Sequence, residues 1–301
     1  MRTANLTTKH AARLLNVSEA TVKRWADDGV LTSKKTVGGH RRFGIESIAQ
    51  LRRERSLQGG APHVAKVVKK KTKPLPAADD FLRVILVGDE LEAAAALVDA
   101  YLAHHSLDSI FETIVTQAMH KVGDLWLKGS VTVADEHLAT RVVLTALQKL
   151  RDVIVPHEPN GLSAICCGSE GDLHELAVHL VTLILESRGW NVIDLGANTP
   201  LFSLQDMVSR QRPQLVCISA RTIADLDRAT AEFAQLRRVA NRLKAKIVLG
   251  GEAFRDPNMR TRFPADFFPA NFPALSRVAT KLAKETEDTV QSRERVEKER
   301  Q

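Results

Sequence analysis

Cysteine is scarce in this chain. Cys166, Cys167 and Cys217 are the only three among 301 residues, and all sit in β-branched or apolar runs. An odd count without framework spacing excludes a disulfide scaffold. Reduced, buried thiols in a cytoplasmic protein are expected instead. No run of about 20 apolar residues occurs, so no membrane span is expected. Met1, Arg2, Thr3 and Ala4 lead into no apolar segment, so no secretory signal is expected. Aromatic residues make up only 5%, but 44% hydrophobic and 26% charged residues are ordinary for a globular chain and exclude wholesale disorder. The length predicts about two to three domains.

Acidic residues are few at the N-terminus. Residues 1–78 hold 17 Lys and Arg against 5 Asp and Glu, and the remainder holds 26 against 31. The formal charge of +7 is therefore wholly N-terminal. A surplus so concentrated points to a polyanion partner, most simply nucleic acid. The plainer alternative is a lysine-rich solubilising segment.

Pattern divides the chain. Residues 1–55 read as a small helical domain with a hairpin, and 56–80, with glycines, prolines and lysines and no apolar period, as a flexible basic linker. Residues 81–157 are helical in period, 158–284 alternate β-branched runs with helical stretches, and 285–301 form a charged tail.

The first segment has the pattern of a helix-turn-helix DNA reader. One helix opens at Leu6-Thr7-Thr8 and turns at Asn16-Val17. Ser18 caps a second, in which Val22 and Trp25 face inward. Thr21, Lys23 and Arg24 are left outside, a set suited to phosphates and base edges in a major groove. After Gly29 a hairpin with its tip at Gly38-Gly39 leads into His40-Arg41-Arg42-Phe43. Phe43 is expected to anchor the hairpin, with Arg41 and Arg42 reaching a phosphate backbone. Leu6 to Phe43 resembles the winged helix-turn-helix of the MerR family, most specifically in Val37-Gly38-Gly39-His40-Arg41-Arg42-Phe43.

In the middle, Asp108–Leu127 and Val133–Val153 read as long helices whose leucines, isoleucines and valines recur at three and four. Trp126 ends the first, and Glu136-His137 opens the second after nine intervening residues. Adjacent on a helix, Glu136 and His137 point about 100° apart, so one can face a cavity while the other braces it. Read alone, Trp126 is as well explained as core, and Glu136 and His137 as a capping and surface pair.

The C-terminal segment predicts a doubly wound parallel sheet. Its strands are Ser163–Cys167, Asn191–Leu195, Leu215–Ser219, Lys246–Leu249 and a weak one at Asp266–Phe268. Ligands of such sheets sit beyond the carboxyl ends of the strands. The loop after the first strand lacks the glycine fingerprints of dinucleotide and phosphate binders. It presents Asp172 and His174 instead. An imidazole there can ligate a metal while the carboxylate fixes its tautomer. A capping Asp and an exposed His are the alternative.

Asp172-x-His174-x-x-Ala177 resembles the cobalamin-binding signature D-x-H-x-x-G. In the signature's order, 41 residues then lie between Ala177 and Ser219, and Gly250-Gly251 follows. Trp126, nine residues and Glu136-His137 are similar to the signature of the helical cap above a corrin. With the MerR-like reader in front, the order resembles the CarH-type cobalamin-dependent, light-sensing transcriptional repressors. That resemblance implies a winged helix-turn-helix, a four-helix bundle cap and a Rossmann-like cobalamin domain. It implies that His174 is the lower axial cobalt ligand, replacing the cofactor's own base, and that Asp172 bonds to His174. Ser219, Gly250 and Gly251 would line the slot for the nucleotide tail, while Trp126, Glu136 and His137 would form the upper pocket against a 5′-deoxyadenosyl group. It implies a regulator rather than an enzyme, a homotetramer on operator DNA in the dark, and release when light breaks the cobalt–carbon bond of adenosylcobalamin. Three positions depart from the pattern. Ala177 replaces a glycine, Arg221 a leucine, and Leu127 the histidine that follows the tryptophan in light-sensing members. A light-independent corrinoid-sensing regulator is the alternative that Leu127 raises.

Overall fold

The computed structural model describes residues 5–58, 75–155 and 157–299, with residues 5, 55–58 and 287–299 as backbone only. The chain divides into two compact units, Met1–Ile154 and Val155–Gln301.

The first unit opens with the reader. Strand β1 (Asn5–Thr7) leads into α1 (Thr8–Leu15) and α2 (Glu19–Asp27), then β2 (Ser33–Lys35), β3 (Arg41–Gly44) and α3 (Ile45–Gln58). Local chemistry sets each boundary. The side chains of Thr7 and Ser18 cap α1 and α2 by accepting from the N–H groups of His10 and Thr21. Asn16, at φ 53°, makes the left-handed turn that ends α1. The strands form an antiparallel sheet in the order β1-β3-β2. Phe43, fully buried, pairs in register with Leu6 and Ser33 and so anchors the hairpin.

The unit continues with α4 (Ala78–Leu86), α5 (Glu90–Leu102), α6 (Leu107–Ile110), a π-helical segment (Phe111–Thr116), α7 (Gln117–Leu127) and α8 (Val133–Arg151). Helix α8 packs along α5 and against α4 and α7. Its start is fixed by a capping box in which Thr132 and Asp135 satisfy each other's backbone N–H. The π-helical turn interrupts what the periodicity predicts as one helix. Two boundaries also move: α3 reaches Gln58 and α4 begins at Ala78, so the expected linker 56–80 loses both ends to helix. Its centre, 59–74, lies outside the described residues.

The second unit is a parallel sheet built from β4 (Ser163–Gly168), β5 (Asn191–Asp194), β6 (Leu215–Ser219) and β7 (Lys246–Gly250), in the order β5-β4-β6-β7. Helices α9 (Leu176–Glu186), α10 (Leu201–Gln211), α11 (Leu226–Leu243), α12 (Pro257–Arg262) and α13 (Phe272–Glu299) complete it. Two separate cores show that both faces are covered. Val178, Leu185, Leu275 and Ala279 of α9 and α13 pack with Ala164, Cys166 and Cys217. Leu204, Phe233 and Leu236 of α10 and α11 pack with Ile165, Val216 and Ile247. Phe233 and Phe263 meet edge to face at 5.3 Å, each contributing about 1.5–3 kcal/mol by burial. The weak strand expected at Asp266–Phe268 is reduced to a bridge between Phe267 and Val248. The Asp266 N–H donates to the Ile247 carbonyl at 3.0 Å beside it. The three cysteines are free and buried, and burial pushes the Cys167 thiol well above its usual range.

Asp266 straps the last loop to the sheet. Its carboxylate accepts from Ile247 N–H at 2.9 Å and Lys246 Nζ at 3.1 Å, and from Arg237. Burial alone pushes this carboxyl up, but Arg237, Ile247 and Lys246 together draw it down to about 2. A depressed carboxyl stabilises the fold above its usual value of 3.8 and loses that contribution as pH falls toward 2. Asp266→Asn is therefore expected to lower Tm at neutral pH and to flatten the fall in Tm between pH 3.8 and about 2. Thermal melts across that range check this, and a profile parallel to the parent's would contradict it.

Candidate functional site

The chain runs from β4 outward to β5, then returns to the other side of β4 with β6. The loops after β4 and β6 therefore diverge and leave a crevice at their carboxyl ends. Asp172 and His174 lie in the first loop, and Arg221 in the second.

Asp172, 3% exposed, ties the two loops together. Its Oδ1 accepts from the His174 N–H at 3.0 Å and lies 2.7 Å from His174 Nδ1. Its Oδ2 accepts from the Arg221 N–H at 2.5 Å. Burial pushes the Asp172 carboxyl up. The Arg221 and His174 N–H groups and the His174 ring outweigh it and hold the carboxyl below its usual range. A neutral imidazole donating from Nδ1 to this carboxylate carries its lone pair on Nε2. The His174 side chain is 57% exposed, so that nitrogen can take a metal.

The neighbouring strand ends leave space at one glycine and none at the next. Ser219 and Gly250 are register partners at the edge of β6 and β7. A side chain added to Gly250 would point into open space. At Gly251, φ +95°, a Cβ would strike the Ala220 carbonyl oxygen at 2.3 Å, so that position admits only glycine. Ile218, Leu249, Phe254 and Phe263 line an apolar pocket that opens to solvent. Glu170 and Arg228, paired at 2.9 Å, stand on its rim.

Sequence reasoning misses several groups here. Asn198 Oδ1 accepts from Gly171 N–H at 2.8 Å, and the Asn198 N–H donates to the Asp172 carbonyl at 3.0 Å. His179 sits 2.9 Å from Asp194 at the end of β5, and this carboxylate raises the His179 pKa. An aspartate ending a strand was the available signal. The histidine, in an apolar helical run, gave none.

Trp126, Glu136 and His137 belong to the first unit, at the end of α7 and the start of α8. Trp126 is 44% exposed, as a core residue would not be. Glu136 and His137 approach to 3.6 Å, and Glu136 accepts from Thr140 at 3.2 Å. Leu127 is also exposed.

In the reader, Val22 and Trp25 are buried and Lys23 and Arg24 are exposed. Ser18 and Thr21 share a 2.9 Å hydroxyl contact at the cap. His40 is exposed, and Arg42 is half-buried with its guanidinium on the Arg41 carbonyl. Arg41 is placed differently from expectation. Its guanidinium bonds to Asp27 and, at 2.6 Å, to the Lys23 carbonyl. It ties the hairpin to the end of α2 instead of extending toward a phosphate.

Comparison with known proteins agrees with this division. Residues 6–56 match the helix-turn-helix domain, while 77–151 and 163–268 match two families described as B12 binding domain. The chain thus joins a helix-turn-helix domain to two B12 binding domains. It is 34% identical over 126 residues to the HTH-type transcriptional repressor CarA of Myxococcus xanthus, covering 41% of this chain and 42% of the repressor. It is 24% identical over 166 residues to trimethylamine corrinoid protein 1 of Methanosarcina acetivorans, covering 54% of this chain and 77% of the relative. The monomethylamine corrinoid protein of Methanosarcina barkeri shares the fold, with a TM-score of 0.57 at 18% identity, over 67% of this chain and 96% of that one. Among the described residues no helix is long and apolar enough to cross a membrane.

Since Arg41 braces the hairpin, Arg41→Ala is expected to weaken binding to every DNA sequence while leaving the salt slope unchanged. Titrations at several salt concentrations test this. A slope smaller by about one would show a lost phosphate contact instead.

Proposed function

We propose that this chain is a transcription regulator whose grip on operator DNA is set by cobalamin. The observation that carries it is His174, oriented by a buried carboxylate at the crevice of a parallel sheet, in a chain that begins with a DNA reader. The residues fit the cofactor. His174 offers a nitrogen to cobalt, and Asp172 holds the ring in the tautomer that ligation needs. Ser219 and Gly250 leave room for a nucleotide tail beside an apolar cavity, whereas Gly251, expected to line the same slot, is required by its close approach to Ala220. By the resemblance alone, Trp126, Glu136 and His137 of the first unit would supply an exposed aromatic face and a polar pair for the upper side.

In its finer form the proposal takes adenosylcobalamin as the cofactor, a homotetramer as the DNA-binding form, and light as the signal. Bound adenosylcobalamin supplies a cobalt–carbon bond that light breaks. The chain's own part is to bind the two cofactor states with different affinity, since a ligand shifts an assembly only by that difference. Several readers on one assembly then hold DNA by effective concentration. Ser18, Thr21, Lys23, Arg24, His40 and Arg42 form the DNA-facing set, with Arg41 as its brace.

Leu127 favours a second reading, a corrinoid sensor indifferent to light. It is 73% exposed beside Trp126 and has no atom able to ligate cobalt.

Size-exclusion chromatography with absorbance separates the two readings. Protein loaded with adenosylcobalamin is expected to elute as a larger species in darkness and a smaller one after green light. A cobalamin-coloured peak of unchanged size under both conditions would support the second reading. His174→Ala is expected to weaken cobalamin uptake and shift the absorption spectrum of what binds. An unchanged spectrum would count against axial ligation.

A further inference from the structure

The DNA reader is not left to its linker. Within the first unit, α1 packs against α5, three basic side chains of the reader meet carboxylates of α5, and a fourth meets the chain past α8. Arg52 of α3 donates to Asp99 Oδ1 at 2.8 Å and to the Leu14 carbonyl at 2.9 Å, joining α1, α3 and α5 at one point. Arg13 bonds to Glu92, and His10 Nε2 lies 3.2 Å from the same carboxylate. Arg53 donates to the Val153 carbonyl, just past α8, at 2.9 Å.

The acceptors are well placed. Glu92 and Asp99 are seven residues apart, two helical turns, and so lie along one face of α5. Asp99 is 9% exposed in a helix whose other buried residues are alanines, leucine and valine. A carboxylate buried in such a helix is costly unless paired, and Arg52 is the pairing. The DNA-facing residues take no part: Lys23 and Arg24 remain exposed.

We infer that α5 is a docking platform for this chain's own reader. Glu92 and Asp99 hold the reader in one orientation with its DNA face open. The contact also provides a route for control, because α8, which carries Glu136 and His137, packs along α5. This second step rests on the proposed function; the docking does not.

The test uses the full chain with nitroxide labels at Lys34→Cys in the hairpin and Asp124→Cys in α7, both exposed positions. The native cysteines are buried and will not compete. Pulsed dipolar spectroscopy is expected to give one narrow distance distribution. Glu92→Gln with Asp99→Asn, which keep side-chain shape, should broaden it. Arg13→Glu with Glu92→Arg, a charge swap, should keep it narrow, while Arg13→Glu alone broadens it. A broad distribution in the parent, or a narrow one in the Gln/Asn variant, overturns the docking.

DNA titration of the parent and the Gln/Asn variant without labels, with Lys34 and Asp124 intact, tests the control. The ratio of parent DNA affinities with and without cobalamin is expected at roughly 5–150, the range for coupled sites, and should fall to about one in the Gln/Asn variant with its cobalamin spectrum intact. A variant that keeps the parent's ratio overturns the control step alone. A docked parent whose affinity ignores cobalamin overturns the functional reading and leaves the docking supported.

Discussion

The crevice of the second unit depends on one buried carboxylate. Asp172 accepts from the backbone of both loops that part at the sheet's switch point, and from the ring between them. Removing an unpaired carboxylate from water is strongly unfavourable. Three N–H donors offset that cost only when the two loops hold their observed relation. The carboxylate therefore sets both the loop geometry and the tautomer of His174. Arg221, which stands where the cobalamin-binding signature has a leucine, contributes its backbone N–H here, which any residue but proline at that position could supply.

The same reasoning changes the meaning of the N-terminal charge. A basic surplus reads as a DNA footprint, yet four of its arginines are engaged within the protein. Arg41 holds the hairpin to α2, Arg13 and Arg52 meet carboxylates of α5, and Arg53 bonds to a carbonyl beyond α8. Lys23, Arg24, Lys34 and Lys35 stay exposed. Among the described residues, Arg13, Arg41, Arg52 and Arg53 are thus removed from the footprint, while α2 and the hairpin keep theirs.

What could be read in the sequence was local. Strand runs such as Ser163–Cys167, the Ser18 cap and the inward pair Val22 and Trp25 are set by period and capping, which a short window contains. Asp172 and His174 were legible because two residues of spacing put a carboxylate beside an imidazole. The rest joins residues far apart in the chain. Arg41 with Asp27, Arg52 with Asp99 and Arg237 with Asp266 exist only once helices pack, and no periodicity reports them. The π-helical turn at Phe111–Thr116 was hidden because its residues read as ordinary helix. The strand expected at Asp266–Phe268 shrinks to a bridge because only Asp266 and Phe267 bond through their backbone to Ile247 and Leu249, too short a run to continue the ladder.

The central claim is that a protein imidazole, held by Asp172, ligates cobalt. Electron paramagnetic resonance of the cobalt(II) form tests it most directly, in protein grown with nitrogen-15 histidine. An axial nitrogen splits the cobalt lines into triplets when it is nitrogen-14 and into doublets when it is nitrogen-15. Doublets in the labelled protein, lost in His174→Ala, are the predicted result. Triplets that persist in the labelled protein would mean that the cofactor's own base remains on cobalt, and would contradict the account.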